Sequence, residues 1–112
     1  MICTCNTLVT YSVVAKEGES STESIENQKV ADNLRSKIRQ EFVSQDFEFY
    51  PEIETAFSGS FTFDKKEKSY LHSEVLSAFR DIKNEYDSDN QADIYVVVMA
   101  ADEDLDLIQF SL

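Results

Sequence analysis

The segment Ile94-Tyr95-Val96-Val97-Val98-Met99 decides the fold that we predict for this chain. Consecutive β-branched and large apolar residues are typical of a strand that lies in the middle of a sheet with both faces buried. The charged segment Asp102-Glu103-Asp104 comes next and predicts a turn, and the alternation over 105–112 predicts a final strand. We therefore expect this last strand to fold back on 94–99 as a hairpin.

Two amphipathic helices are predicted upstream of this strand. The first follows a capping box formed by Ser20 and Glu23, and its apolar side chains recur at every fourth position: Val30, Leu34, Ile38 and Phe42. The second has apolar side chains at spacings of three and four: Leu71, Val75, Phe79, Ile82 and Tyr86.

The remaining segments predict strands. Alternation over 8–15 predicts the first strand, and Pro51 predicts an edge or a bulge after the extended residues that precede it. We interpret 52–64 as a hairpin whose tight connection is Ser58-Gly59-Ser60.

These elements follow one another in the order β-α-β-β-α-β-β, which predicts an α+β fold within a single acidic globular domain, residues 1–112. The expected architecture is a ferredoxin-like antiparallel sheet with two helices on one face, order β-α-β-β-α-β, and an extra C-terminal strand. The second face of such a sheet is open, and we expect Tyr11, Tyr50 and Tyr95 to lie on it.

The charge of the chain is unevenly distributed. Its formal net charge is −12, and the stretches 40–64 and 84–112 contain six and eight of its 22 carboxylates without any Lys or Arg. A hydrophobic content of 42% favours a folded domain over a disordered acidic tail. A folded domain with acidic, base-free surfaces suits a positively charged partner, and many such partners handle nucleic acid.

Several function classes are disfavoured. The chain has only Gly18 and Gly59, too few for a phosphate-binding loop, and its single histidine, His72, falls within the second predicted helix on a mixed face. We expect no enzyme activity, no metal and no cofactor.

The longest apolar run has eight residues, far below the about 20 needed to cross a bilayer. We therefore expect no membrane partner, and the N-terminus, which lacks the pattern of a secretory signal, predicts a cytoplasmic protein.

Three metal or redox alternatives stay open at this point. Cys3 and Cys5 share one side of a strand and are able to pack, to pair or to bind a metal. The loop from Asp87 has alternating oxygen ligands like a calcium loop, but Ala92 and Val98 occupy the positions that require Gly and Glu. Carboxylates at Asp102, Asp104 and Asp106 alternate, as in a magnesium site of a small enzyme.

The function predicted from these observations is that of a non-enzymatic inhibitor. Carboxylates at alternate strand positions repeat every ~6.6–6.8 Å, so a row of them is able to imitate the phosphates of DNA or RNA. The expected partner is a basic nucleic-acid-binding protein, namely a nuclease, a restriction enzyme or a CRISPR effector, with no direct contact to nucleic acid. The candidate partner-binding residues are Asp46, Glu48, Glu52, Glu54, Asp87, Asp89, Asp102, Glu103, Asp104 and Asp106.

Two alternatives have the same sequence features. An immunity protein that neutralises a toxin nuclease would be equally acidic and equally small. A self-associating adaptor or assembly module, including a homodimer, would use its aromatic side chains for contact and its acids for solubility.

Overall fold

The computed structural model describes residues 2–50, 52–64, 67–101 and 107–112. The helices and strands follow one another in the predicted order. Their bounds are β1 Cys3–Ala15, α1 Ser21–Ser44, β2 Glu48–Tyr50, β3 Ile53–Phe63, α2 Lys68–Tyr86, β4 Ala92–Ala100 and β5 Leu107–Ser111.

The strands form one antiparallel sheet in the order β2-β3-β1-β4-β5. This confirms the predicted α+β class and the C-terminal hairpin of β4 and β5. The complete ferredoxin-like order is not reproduced, because the sheet has five strands and β5 occupies the edge beside β4. The uncharged central strand β1 pairs with β3 on one side and with β4 on the other.

Both helices pack on the same face of the sheet and against each other. The side chains that they cover come from alternate positions of the strands, such as Val9 and Val13 of β1. Aromatic rings fill the middle of this layer: the ring of Phe42 stacks on Phe57 at a centroid distance of 4.3 Å and lies 5.1 Å from Phe79. Stacked and tilted aromatic pairs at these distances add specific stabilisation to the burial of apolar area.

Tyr11 corrects one prediction about the open face. Its side chain is only 5% exposed and packs with its ring 6.1 Å from Phe57 and 5.8 Å from Phe79. Side chains two positions apart on a strand share a face, so Tyr11 must lie with Val9 and Val13 under the helices. Tyr50 and Tyr95 are exposed, and the Tyr50 hydroxyl lies 3.2 Å from the Ser58 hydroxyl.

Strand β4 is buried on one face only, which corrects the prediction that both faces are covered. Ile94, Val96 and Val98 face the helices and are buried, whereas Tyr95 and Met99 point the other way and are exposed. Since no helix of the described chain lies on that side, the apolar residues there belong to an open sheet face.

The predicted hairpin over 52–64 is also wrong. β3 runs without a turn from Ile53 to Phe63 and pairs along β1, with Cys3 opposite Phe63 and Thr10 opposite Ala56. Gly59 lies inside this strand because the ring of Phe47 covers it: a Cβ at this position would lie 2.3 Å from Phe47 Cδ1. Glycine at this position therefore permits a close packing contact instead of a reversal of the chain.

The short strand β2 is one edge of the sheet. Its pairing with β3 shifts register between Phe49 and Tyr50, as in a β-bulge. Pro51, on which the prediction of an edge or bulge was based, lies outside the described residues. A three-residue edge strand interrupted in this way offers little backbone for pairing with another chain.

The predicted capping box of α1 is confirmed. Ser20 is the N-cap, and its hydroxyl accepts a hydrogen bond from the backbone N–H of Glu23 at 3.1 Å. The Glu23 carboxylate accepts in turn from the backbone N–H of Glu19 at 3.2 Å.

Among the helices of the described ranges, none has the length and apolarity needed to cross a membrane.

Candidate functional site

The charges of this protein are sorted by layer. None of the five strands contains a Lys or Arg, so all ten cationic residues belong to the helices and the connecting segments. The strands carry three carboxylates, Glu48 of β2, Glu54 of β3 and Asp93 of β4. The sheet layer therefore has acidic side chains without cationic ones, whereas the helices carry both signs.

The carboxylates of Asp46, Glu48 and Glu52 lie around strand β2, and we call these three residues the acidic edge. All three are exposed. Within the described residues, none of the three has a cationic side chain as a partner, whereas ion pairs occur elsewhere, as between Lys16 and Asp93 at 3.7 Å. The acidic edge is thus a group of unneutralised charges on a paired strand and its adjoining turns.

The C-terminus of α1 places Asp46 at the start of the acidic edge. The N–H of Asp46 donates to the carbonyl of Val43 at 3.1 Å and the N–H of Phe47 donates to the carbonyl of Phe42 at 3.0 Å. These two bonds form a Schellman motif, and the contact between the Phe42 and Phe47 rings at 5.3 Å supplies its usual apolar clasp. Asp46 occupies the left-handed position of this motif, with φ of 67°.

An aspartate in this backbone conformation costs stability, because glycine adopts it without a steric penalty. We expect Asp46→Gly to raise the free energy of unfolding by about 0.5–1 kcal/mol in urea denaturation. Asp46→Asn is the control, since it removes the same charge and keeps a side chain. If Asp46→Gly were no more stable than Asp46→Asn, backbone strain at this residue would be refuted.

Glu48 is fixed by strand pairing opposite Ser58 of β3, on the open face of the sheet. On the other side of β2, the guanidinium of Arg39 lies over the ring of Phe49, 5.0 Å from its centroid. This cation therefore approaches the strand from the helix layer, while Glu48 points to the opposite face. Glu54 lies in β3, but its side chain is outside the described part of the structure.

Asp87 differs from the other candidates because it is buried. Its side chain is fully buried and accepts hydrogen bonds from Lys83 Nζ at 2.7 Å, from the N–H of Gln91 at 2.7 Å and from the N–H of Ala92 at 3.0 Å. Burial raises the pKa of Asp87, but these three hydrogen bonds and the charge of Lys83 outweigh it and hold the pKa below its ordinary value. Both oxygens of Asp87 are therefore occupied by hydrogen bonds from within the chain, which gives this carboxylate a stabilising role in the fold.

The spacing of Lys83 and Asp87 is the signal that sequence reasoning missed. Residues four apart on a helix are neighbours, and Lys83 precedes Asp87 by four positions at the end of α2.

Asp89, two residues after Asp87, is exposed. The candidates Asp102, Glu103, Asp104 and Asp106, which include the proposed magnesium ligands, lie outside the described residues.

The remaining chemical candidates occupy structural positions. Cys5 is buried, and Cys3 is half-buried against the core. His72 lies within α2 and is half-buried, with its ring 5.4 Å from that of Phe110 and with a buried Nε2 that has no hydrogen-bond partner among the described residues. In the described ranges, no three His, Cys, Asp or Glu side chains converge as metal ligands do.

Comparisons with protein-family models, with curated proteins and with solved structures found no match to this chain.

Proposed function

We propose that this chain is a non-enzymatic acidic inhibitor that binds a nucleic-acid-processing protein by direct contact. Its carboxylates occupy the basic surface to which the phosphates of DNA or RNA would otherwise bind. The inhibitor is of the anti-CRISPR or anti-restriction type, with a nuclease, restriction enzyme or CRISPR effector as its target. We infer that it acts in the cytoplasm, where such targets work.

The observation that carries this proposal is the acidic edge beside strands without cations. An exposed carboxylate that already has an internal cation gains little from a second one, whereas an unpaired carboxylate keeps its full attraction for a partner. Asp46, Glu48 and Glu52 are unpaired among the described residues. They lie on backbone held by the Schellman motif and by pairing with β3, so little conformational entropy is lost when a partner binds them.

The strain at Asp46 supports the same interpretation. Residues held in a strained backbone conformation are often found at functional sites. Here the position that favours glycine carries a carboxylate at the margin of the acidic edge.

The first experiment is capture of the target. The tagged chain is used to recover proteins from host lysate at low and high salt, and recovered nucleic-acid-binding proteins are then tested for competition between the chain and DNA or RNA. We expect one such protein to be released as salt rises and to lose its nucleic acid when the chain is added. A target that binds the chain and nucleic acid at the same time would contradict the proposal. Recovery of a toxin nuclease in place of a defence enzyme would identify the chain as an immunity protein.

The second experiment locates the site by reversing charge. We expect Glu48→Lys combined with Glu52→Lys to weaken binding of the captured target by about 10- to 100-fold, mostly through slower association. The matched control is Glu74→Lys combined with Asp81→Lys, which changes net charge by the same amount on the exposed surface of α2. Binding constants from calorimetry or surface plasmon resonance check this expectation. Equal weakening by both pairs would show that net charge, and not the acidic edge, determines affinity.

A further inference from the structure

The open face of the sheet contains a patch without charge. Strand pairing places nine side chains of β1, β4 and β5 in three rows that cross the sheet: Leu8–Met99–Leu107, Thr10–Val97–Gln109 and Ser12–Tyr95–Ser111. We call these nine residues the neutral patch. On a soluble protein about 25–35% of surface residues are charged, so about two or three of nine would carry a charge, and here none does.

The neutral patch is apolar along its middle strand, β4, and open to solvent. Met99 is 56% and Tyr95 49% exposed, and Leu107 is exposed beside Met99. Two shallow depressions lie within it, one lined by Tyr95 and Gln109 and the other by Leu8 and Met99. Neighbouring positions on β1 and β3 carry small polar side chains such as Asn6 and Ser60, whose side chains hydrogen-bond at 2.6 Å. An apolar centre within a polar rim is the usual anatomy of a protein interface.

From this geometry we infer that the open sheet face binds a second copy of this chain. A basic target is not favoured there, because the neutral patch presents no carboxylate for its cations. A surface whose centre is apolar and uncharged is complementary to itself, as a two-fold symmetric interface requires. Two such sheets would pack face to face about 10 Å apart, as in a β-sandwich.

The size of the uncharged face suits a weak dimer. The neutral patch and the polar side chains beside it on β3 cover four strands, about 19 Å at a spacing of about 4.8 Å, and the nine residues of β4 extend about 30 Å, so the flat area is at most about 600 Å² per copy. A stable interface of ordinary size buries about 800 Å² per partner, and smaller ones are typical of weak association.

The net charge of −12 does not prevent this association, because the charged side chains of this face that the structure describes lie outside the patch. Glu48 lies in the same row across the sheet as Met99, three strands away. The two residues are therefore about 14 Å apart, farther than the Debye length of about 8 Å at physiological salt. Asp93, near the other end of β4, is neutralised by Lys16 at 3.7 Å. The remaining repulsion is screened by salt, so the dimer strengthens as salt rises.

Sedimentation equilibrium of the full chain at about 100 µM, in about 0.15 M and about 1 M salt, tests this inference. We expect twice the chain mass and a tighter dimer at high salt. Met99→Asp is expected to raise the dissociation constant at least 30-fold, and Tyr95→Asp is a second variant on the same patch. The matched control is Val43→Asp, at an apolar residue 50% exposed on α1, which leaves the dimer unchanged.

Two results would overturn the inference. One is a monomer in about 1 M salt at about 100 µM. The other is a dimer that Met99→Asp and Val43→Asp weaken equally. A monomer whose capture of the target is abolished by Met99→Asp would assign the face to the target instead. Circular dichroism of each variant separates loss of contact from loss of fold. Because target binding weakens with salt and self-association strengthens, failure of this inference is distinguishable from failure of the proposed function.

Discussion

Replacing Asp87 with alanine is expected to lower the free energy of unfolding by about 3–5 kcal/mol, the usual cost of breaking a buried ion pair on one side. The substitution removes the acceptor of three hydrogen bonds, from Lys83 Nζ and from the N–H groups of Gln91 and Ala92. The Lys83 ammonium would keep its hydrogen bond to the Ala92 carbonyl at 2.6 Å. It would lose its counterion, although the Lys83 side chain is only 12% exposed. Urea denaturation measures the loss.

Two further variants test whether the loss is specific to the buried carboxylate of Asp87. Asp87→Asn keeps the shape, and its amide oxygen is able to accept from Lys83 Nζ and the Ala92 N–H, but its N–H₂ group then faces the N–H of Gln91 and the negative charge is lost, so we expect an intermediate loss of about 1.5–3 kcal/mol. Asp89→Ala, at an exposed carboxylate of the same loop, is expected to change stability by less than about 0.5 kcal/mol. A similar loss from Asp87→Ala and Asp89→Ala would show that the buried carboxylate contributes nothing beyond an ordinary surface residue.

The same carboxylate makes stability depend on pH. Burial raises the pKa of Asp87, but the hydrogen bonds from Lys83, Gln91 and Ala92 and the charge of Lys83 lower it further, so the folded pKa lies below the unfolded value of about 3.9. The stabilisation is therefore complete above about pH 4 and is lost as pH falls through the folded pKa. Accordingly, the difference in stability between the wild type and Asp87→Asn is expected to shrink below about pH 4.

Aspartates that look alike in the sequence have different roles in the structure. The sequence alone therefore predicts only part of the candidate site. Asp87 and Asp89 stand two positions apart in one polar loop, yet one is enclosed by three donors and the other is exposed. Whether an acid is enclosed depends on where the preceding helix ends and where the next strand begins. The spacing from Lys83 was the one local indication, whereas the lack of a cationic partner for Glu48 and Glu52 among the described residues follows only from the arrangement of the layers.

The fold was more predictable because its main signals are periodic. Repeats of two and of three to four residues identified the helices and most strands, since burial on one face imposes those periods. Tyr11 was misplaced although it shares the period of Val9 and Val13, so consistent use of the alternation would have buried it. The pattern of β4 suggested burial on both faces because an exposed apolar face and a buried face have the same residue types.

Gly59 was misread for a different reason: glycine is typical both of turns and of close packing inside a strand. The structure shows the second case. Phe47 follows the Schellman motif of α1, and its ring lies across β3, where it contacts Phe42 at 5.3 Å, Phe57 at 5.4 Å and Phe61 at 4.8 Å. Since these rings hold Phe47 in place, it is unable to move aside for a new side chain on the strand.

Gly59→Ala is therefore expected to destabilise the protein by about 3 kcal/mol, near the upper end of the cost of overpacking a core. Alanine ordinarily stabilises the interior of a strand relative to glycine by about 0.5–1 kcal/mol, so a loss here reports the contact with Phe47 directly. The added Cβ would lie 2.3 Å from Phe47 Cδ1, well inside van der Waals contact. Chemical denaturation gives the difference in unfolding free energy.

A double-mutant cycle tests the cause. Phe47→Ala alone is expected to cost about 3–5 kcal/mol by emptying part of the aromatic cluster. In that background the space above the strand is vacant, so Gly59→Ala should change sign and stabilise by about 0.5–1 kcal/mol. Ser60→Ala, at the next and outward-facing position of β3, serves as a control that is indifferent to Phe47. If Gly59→Ala remained equally destabilising without the Phe47 ring, the glycine would be required by the strand itself and not by the ring that covers it.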